Sequence, residues 1–115
     1  MQLSIEKLGE VSVILVPGTT LDASSAKDFK AAMAPLLTAG GKVILDLSQL
    51  KFVDSSGLGA MLSCLRQING VGGDLKLSGM NKPIRALFEL VRMHRVFEIF
   101  NTREEAAASF TAAAG

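Results

Sequence analysis

A chain of 115 residues, 49% hydrophobic and 20% charged, carries enough apolar material for one core of ordinary domain size and too much for a disordered segment. Twelve Lys and Arg against eleven Asp and Glu leave a formal charge of +1, so no strong field points to nucleic acid or an anionic membrane as a partner. Cys64 is the one cysteine, which excludes an intrachain disulfide and a cysteine-pair zinc site.

Leu3 and Ile5 alternate with polar neighbours through Gln2–Leu8, and an apolar run resumes at Val11 after Gly9-Glu10. This pattern predicts two strands joined by a tight turn, the second ended by Pro17-Gly18. Across Ser24–Thr38, Phe29, Met33, Leu36 and Leu37 fall on one helical stripe, with Asp22, Ser24 or Ser25 as candidate caps. Pro35 lacks a backbone donor and should kink that helix or end it early. Gly40-Gly41 then breaks the pattern before a strand over Lys42–Leu47. Val43, Leu45 and Leu47 face one way and Ile44 the other, as in a central strand covered on both sides.

A short connection, Ser48–Val53, leads to Asp54-Ser55-Ser56-Gly57, after which Leu58, Met61, Leu62, Leu65 and Ile68 mark a second amphipathic helix. Asn69-Gly70 stops it, and Leu75 and Leu77 place a strand over Asp74–Ser78. Asn81-Lys82-Pro83 opens a third helix with Ile84, Leu87, Phe88 and Val91 as its buried stripe. Val96–Phe100 reads as the last strand. Thr102-Arg103-Glu104-Glu105 is a capping box for a helix through Phe110, and fraying is expected from Ala112 to Gly115.

Strands alternating with helices imply parallel neighbours joined by right-handed crossovers, and the opening hairpin adds an antiparallel pair. The expectation is a single α/β domain over residues 1–115, with its core at about 3–110. Its mixed, mostly parallel sheet should hold about five strands, packed with about four helices. The N-terminal residues lack the basic region and apolar stretch of a signal peptide, and no apolar run approaches a membrane span. A cytoplasmic setting is expected, and a monomer.

The stretch with chemical content is Asp54-Ser55-Ser56-Gly57-Leu58-Gly59. It leaves a strand and enters a helix N-terminus, whose first amides lack internal partners and carry partial positive charge. Asp54, Ser55 and Ser56 could each cap those amides. Gly57 and Gly59 in the first turn each cost about 0.5–1 kcal/mol relative to alanine. Such a cost has two candidate causes: close packing of the helix end on its own sheet, or approach of another molecule to the backbone. Leu58 between them would offer that molecule an apolar contact.

This run resembles the Asp-Ser-[Ser/Thr]-Gly-Leu-Gly signature of bacterial anti-sigma-factor antagonists, which have a STAS domain. The likeness extends to Gly18 with Leu21-Asp22, to Lys42–Leu47, Gly72-Gly73, Arg85-Ala86-Leu87-Phe88 and Val96–Phe100, and covers about residues 3–110. It implies a STAS-like fold and a partner-switching function. The unphosphorylated protein would bind an anti-sigma factor that is also a serine kinase of the histidine-kinase-like ATPase class, releasing the sigma factor. Phosphorylation would end that binding, and a metal-dependent serine phosphatase would restore it. Ser55 matches the family's acceptor, with Ser56 the lesser candidate. Asp22, Asp54, Ser56, Gly57, Leu58 and Gly59 fall at the implied partner surface. Asp22 could also simply cap the first helix.

Two rival readings compete with this one. An enzyme would need a base for Ser55, but the sole histidine, His94, lies between Arg92-Met93 and Arg95 in a helix-to-strand turn. No nucleophile elbow, metal-ligand cluster or phosphate-binding loop accompanies it. Catalytic residues and cofactors are therefore not expected, and the loose cluster Arg85, Arg92, His94 and Arg95 reads as a solvated helix face and end. The other rival keeps the fold and makes the chain a regulatory subunit of a transport or other signalling complex.

Overall fold

In the computed structural model, which describes residues 1–114, Ser4–Leu8 (β1) pairs antiparallel with Val11–Leu15 (β2) around a Gly9-Glu10 turn. The chain then forms Thr20–Leu21 (β3), Ala26–Met33 (α1), Lys42–Asp46 (β4), Phe52–Val53 (β5) and Ser55–Asn69 (α2). Asp74–Ser78 (β6), Lys82–Leu90 (α3), Ile99–Phe100 (β7) and Arg103–Ala114 (α4) complete it. Five strands make one sheet in the order β1-β2-β4-β6-β7, and every pair except β1–β2 is parallel. The mixed α/β layout read from the sequence is the one observed.

The sheet has two unequal covers. Ile14, Val43, Leu45, Leu75 and Leu77 face a core closed by Phe29 and Met33 of α1, Met61, Leu65 and Ile68 of α2, and Ile84 and Phe88 of α3. On the opposite face Val11, Val13 and Ile44 meet Ala106 and Phe110 of α4. The central strand β4 is thus buried on both faces, as its sequence requires.

The α4 side also buries two charges, and each is partnered, because an unpaired charge there would be costly. Lys76 donates to Ser109 Oγ at 2.7 Å, stands 4.2 Å from the Phe110 ring centroid and lies 3.6 Å from the Glu98 carboxylate. Asp46 accepts from Arg103, the first residue of α4, which also binds Glu6. Among the described residues no helix is long and apolar enough to cross a membrane.

Several boundaries differ from expectation. The first helix is shorter than Ser24–Thr38: residues 22–25 form a turn, and a 3-10 turn at Ala34–Leu36 containing Pro35 ends it. The Ser48–Val53 connection contains β5, which pairs in parallel with β3, Thr20 beside Phe52 and Leu21 beside Val53. Val91 is exposed rather than buried, because α3 ends at Leu90 and Arg92 takes a left-handed conformation, φ 61°. The chain then turns through Met93–Arg95, Phe97 enters the core, and only Ile99–Phe100 of the expected last strand pairs. Thr102 caps α4 by accepting from the Glu105 amide at 3.1 Å. That helix continues into the stretch expected to fray, through Ala114, and Gly115, the last residue of that stretch, lies outside the described residues.

Candidate functional site

Two loops from distant parts of the sequence meet at the start of α2, and Asp54 joins them. Its extended backbone (φ −103°, ψ −175°) makes it the N-cap of α2, and its carboxylate accepts from the Gly57 amide at 2.9 Å. The other carboxylate oxygen accepts from the Ala23 amide at 3.1 Å, and the Asp54 amide donates to the Leu21 carbonyl at 3.2 Å. The short β3–β5 ladder lies immediately before both loops and brings them side by side.

Asp22 organises its own loop. Its carboxylate accepts from the Ser24 amide at 3.0 Å and from the Ser24 hydroxyl at 2.6 Å, and its carbonyl accepts from the Ala26 amide at 2.8 Å. The Ser24 hydroxyl is the main cause holding the Asp22 carboxyl below its ordinary pKa. Ser25 occupies the cap position of α1 without a side-chain capping bond. Asp22 therefore shapes the turn before α1, adjacent to the Asp54 cap through Ala23.

Ser55 is the first residue of α2, and both it and Ser56 are exposed. Neither hydroxyl takes part in a hydrogen bond among the described residues, so of the three candidate caps only Asp54 acts as one. The two glycines separate cleanly. A β-carbon on Gly57 would stand 2.3 Å from the Leu21 carbonyl oxygen, so intramolecular packing accounts for this glycine. A β-carbon on Gly59 would meet nothing within 4 Å, so this exposed glycine has no packing cause in the chain. Leu58 is corrected: it is 8% exposed and belongs to the main core, because helical geometry turns it inward between Gly57 and Gly59. It offers no apolar contact at the surface.

Beside this helix start runs a groove of about 490 Å³ between α1 and α2, lined by Ala23, Ala26, Lys27, Lys30, Ser56, Gly59 and Ala60. Lys27 and Lys30 were not singled out in the sequence. Their i, i+3 spacing puts them on one helix face, but spacing does not say which helix that face meets. Cys64 of α2 is buried, and burial pushes its thiol up to about 11, with the Lys30 charge opposing the rise. Arg92, His94 and Arg95 are exposed, while Arg85 is half-buried and donates to Asn101 at 3.1 Å. His94 lines a separate depression along α3 and β7, which includes none of Asp22, Asp54 or Ser55.

Residues 2–106 match the family model for the STAS domain. BtrV of Bordetella bronchiseptica, which bears the name of an anti-sigma factor antagonist, is 30% identical over 114 residues, 98% of this chain and 97% of its own. A Thermotoga maritima protein of the same designation has a crystal structure that superposes with a TM-score of 0.84 at 26% identity, covering 93% of this chain and 92% of that one. SpoIIAA of Bacillus, solved in its phosphorylated form, shares the fold with a TM-score of 0.67 at 24% identity over 95% of this chain and 99% of its own. With the family model spanning nearly the whole sequence and a relative matched from end to end, this chain belongs to the STAS-domain family.

Proposed function

We propose that this chain is a cytoplasmic anti-sigma factor antagonist that works by partner switching through Ser55. In its unphosphorylated form it binds an anti-sigma factor that is also a serine kinase of the histidine-kinase-like ATPase class, and the sigma factor is released. Phosphate on Ser55 ends that complex, and a metal-dependent serine phosphatase restores it. The observation that carries this reading is the exposed, unbonded Ser55 hydroxyl at the first position of α2. Asp22, Asp54, Ser56 and Gly59 surround it as the docking face, and Gly57 permits the close loop packing beneath.

A phosphate adds about −1.5 to −2 charges and three acceptor oxygens. At a helix N-terminus that charge is favourable, so the switch acts at the surface, through bulk and repulsion of the partner, and leaves α2 folded. Catalysis by Ser55 itself is disfavoured, because His94 lines a different depression.

The test is to incubate the chain with ATP and candidate host serine kinases of this class, then map the phosphosite by mass spectrometry. Labelling of Ser55 that is abolished by Ser55→Ala supports the reading. Labelling confined to other residues, or capture of transporter ATPase subunits with no such kinase, overturns it.

A further inference from the structure

The α1–α2 groove has a composition that the switch alone does not require. Lys27 and Lys30 stand on its α1 wall, while its α2 wall presents Ser56, Gly59 and Ala60 at i, i+3 and i+4. Ala26 and Ala60 are buried, so the base is small and apolar, and at Gly59 no side chain covers the backbone. No acidic residue lines the groove. The ion pairs of the described residues join Lys42 to Glu10, Lys76 to Glu98, and Arg103 to Glu6 and Asp46, so Lys27 and Lys30, like the other cations outside these pairs, have no acidic partner. What distinguishes this pair is its place: both lysines line the groove with the exposed Ser56, while the Asp54 carboxylate of the site is engaged by the Ala23 and Gly57 amides.

We infer that the groove is the receptor for an acidic side chain of the anti-sigma factor, with Lys27 and Lys30 binding its carboxylate and Gly59 admitting its backbone or stem. This inference rests on the partner-switching reading and adds the chemistry of recognition to it. The physical case is complementarity. Two lysines lining a groove otherwise built of alanine, glycine and one serine hold a carboxylate more strongly once a partner's surface displaces water, and they steer its approach. A partner presenting lysine or arginine there is rejected by the same charges, so the pair selects among related kinases. The bare helix at Gly59 lets the partner's chain come close enough for the carboxylate to lie between α1 and α2.

The experiment uses the full chain and the kinase that phosphorylates Ser55. The complex is treated with a carbodiimide, which joins a lysine amine to a carboxyl in direct contact, and the products are mapped by mass spectrometry. Binding is measured in parallel for wild type and for the double variant Lys27→Glu/Lys30→Glu, whose fold is checked by circular dichroism. The expected result is a Lys27 or Lys30 crosslink to one kinase Asp or Glu. The double variant should show at least a tenfold rise in Kd, recovered when that kinase residue is changed to lysine. Wild type that is phosphorylated on Ser55, with a double variant that binds within twofold and no crosslink, overturns the inference and leaves the partner-switching reading standing. A defect seen only with ATP present, without a crosslink, assigns the lysines to the nucleotide's phosphates and likewise overturns it. Failure of wild type to bind or be phosphorylated by any kinase of the class removes both.

Discussion

Gly57 lies so close to the Leu21 carbonyl oxygen that a β-carbon on it would stand 2.3 Å away, while Gly59, two residues on, faces open space. Alanine should therefore have opposite effects at the two positions. Gly57→Ala forces backbone apart and should cost about 1–3 kcal/mol. Gly59→Ala relieves a helix-interior glycine and should add about 0.5–1 kcal/mol. Urea unfolding of both variants checks this, and a destabilised Gly59→Ala would show that the position serves the fold instead of an approaching partner.

Asp54 holds the Gly57 and Ala23 amides with one carboxylate. Asp54→Ala should lose about 1–2 kcal/mol through the missing cap. It should also shift the amide resonances of Ala23 and Gly57 together in NMR spectra. A shift at Gly57 alone would mean that the two loops are not joined through this side chain.

The buried Asp46 gives the fold an acid-sensitive element. Burial acts to raise its carboxyl pKa, but bonds from Arg103 and Ser48 outweigh it and hold the value below the ordinary 3.8. The ionised, bonded carboxylate therefore stabilises the fold fully above the unfolded value, and this contribution is lost as pH falls through the lower folded value. Asp46→Asn should cost about 2 kcal/mol at pH 7, less than a fully buried pair because Arg103 is partly exposed. Urea midpoints of the two proteins should converge below pH 4, and a constant gap down to pH 3 would contradict the assignment.

Phosphorylation of Ser55, or Ser55→Asp, places negative charge where the helix amides favour it. Far-ultraviolet circular dichroism should change little while affinity for the anti-sigma factor falls at least tenfold. A large loss of helical signal would mean that the switch works by melting α2.

Cys64 is 2% exposed, with its thiol pushed up to about 11. At pH 7.5 the folded protein should resist alkylation by iodoacetamide, and the rate should follow unfolding as urea is added. Prompt labelling of the native chain would show that α2 opens locally.

The fold was legible wherever apolar periodicity ran long enough to be read. Val43, Ile44 and Leu45 mark a strand buried on both faces, and the Phe29–Met33 stripe marks a helix. Phe52–Val53 carries no such signal, because a two-residue strand has no period, and its pairing with Thr20–Leu21 is a long-range fact. Val91 continues α3's stripe on paper but falls beyond the helix end, where Arg92 turns the chain. Within the site, the Asp54 cap and exposed Ser55 follow from local helix-start chemistry. Leu58's burial was also legible, since it opens the stripe that continues through Met61, Leu65 and Ile68, whereas the place of Lys27 and Lys30 in the α1–α2 groove depends on how two helices dock, which neighbouring residues do not encode.

The β3–β5 ladder holds only two residue pairs and is not part of the five-stranded sheet. Leu21 and Val53, one from each strand, are nevertheless buried in the main core, so the ladder is held in register by packing beneath it. The two loops of the candidate site are thus moored to the interior by a pair of side chains and not by the sheet, so a change at Leu21 or Val53 would be felt at the docking face before it reached the scaffold.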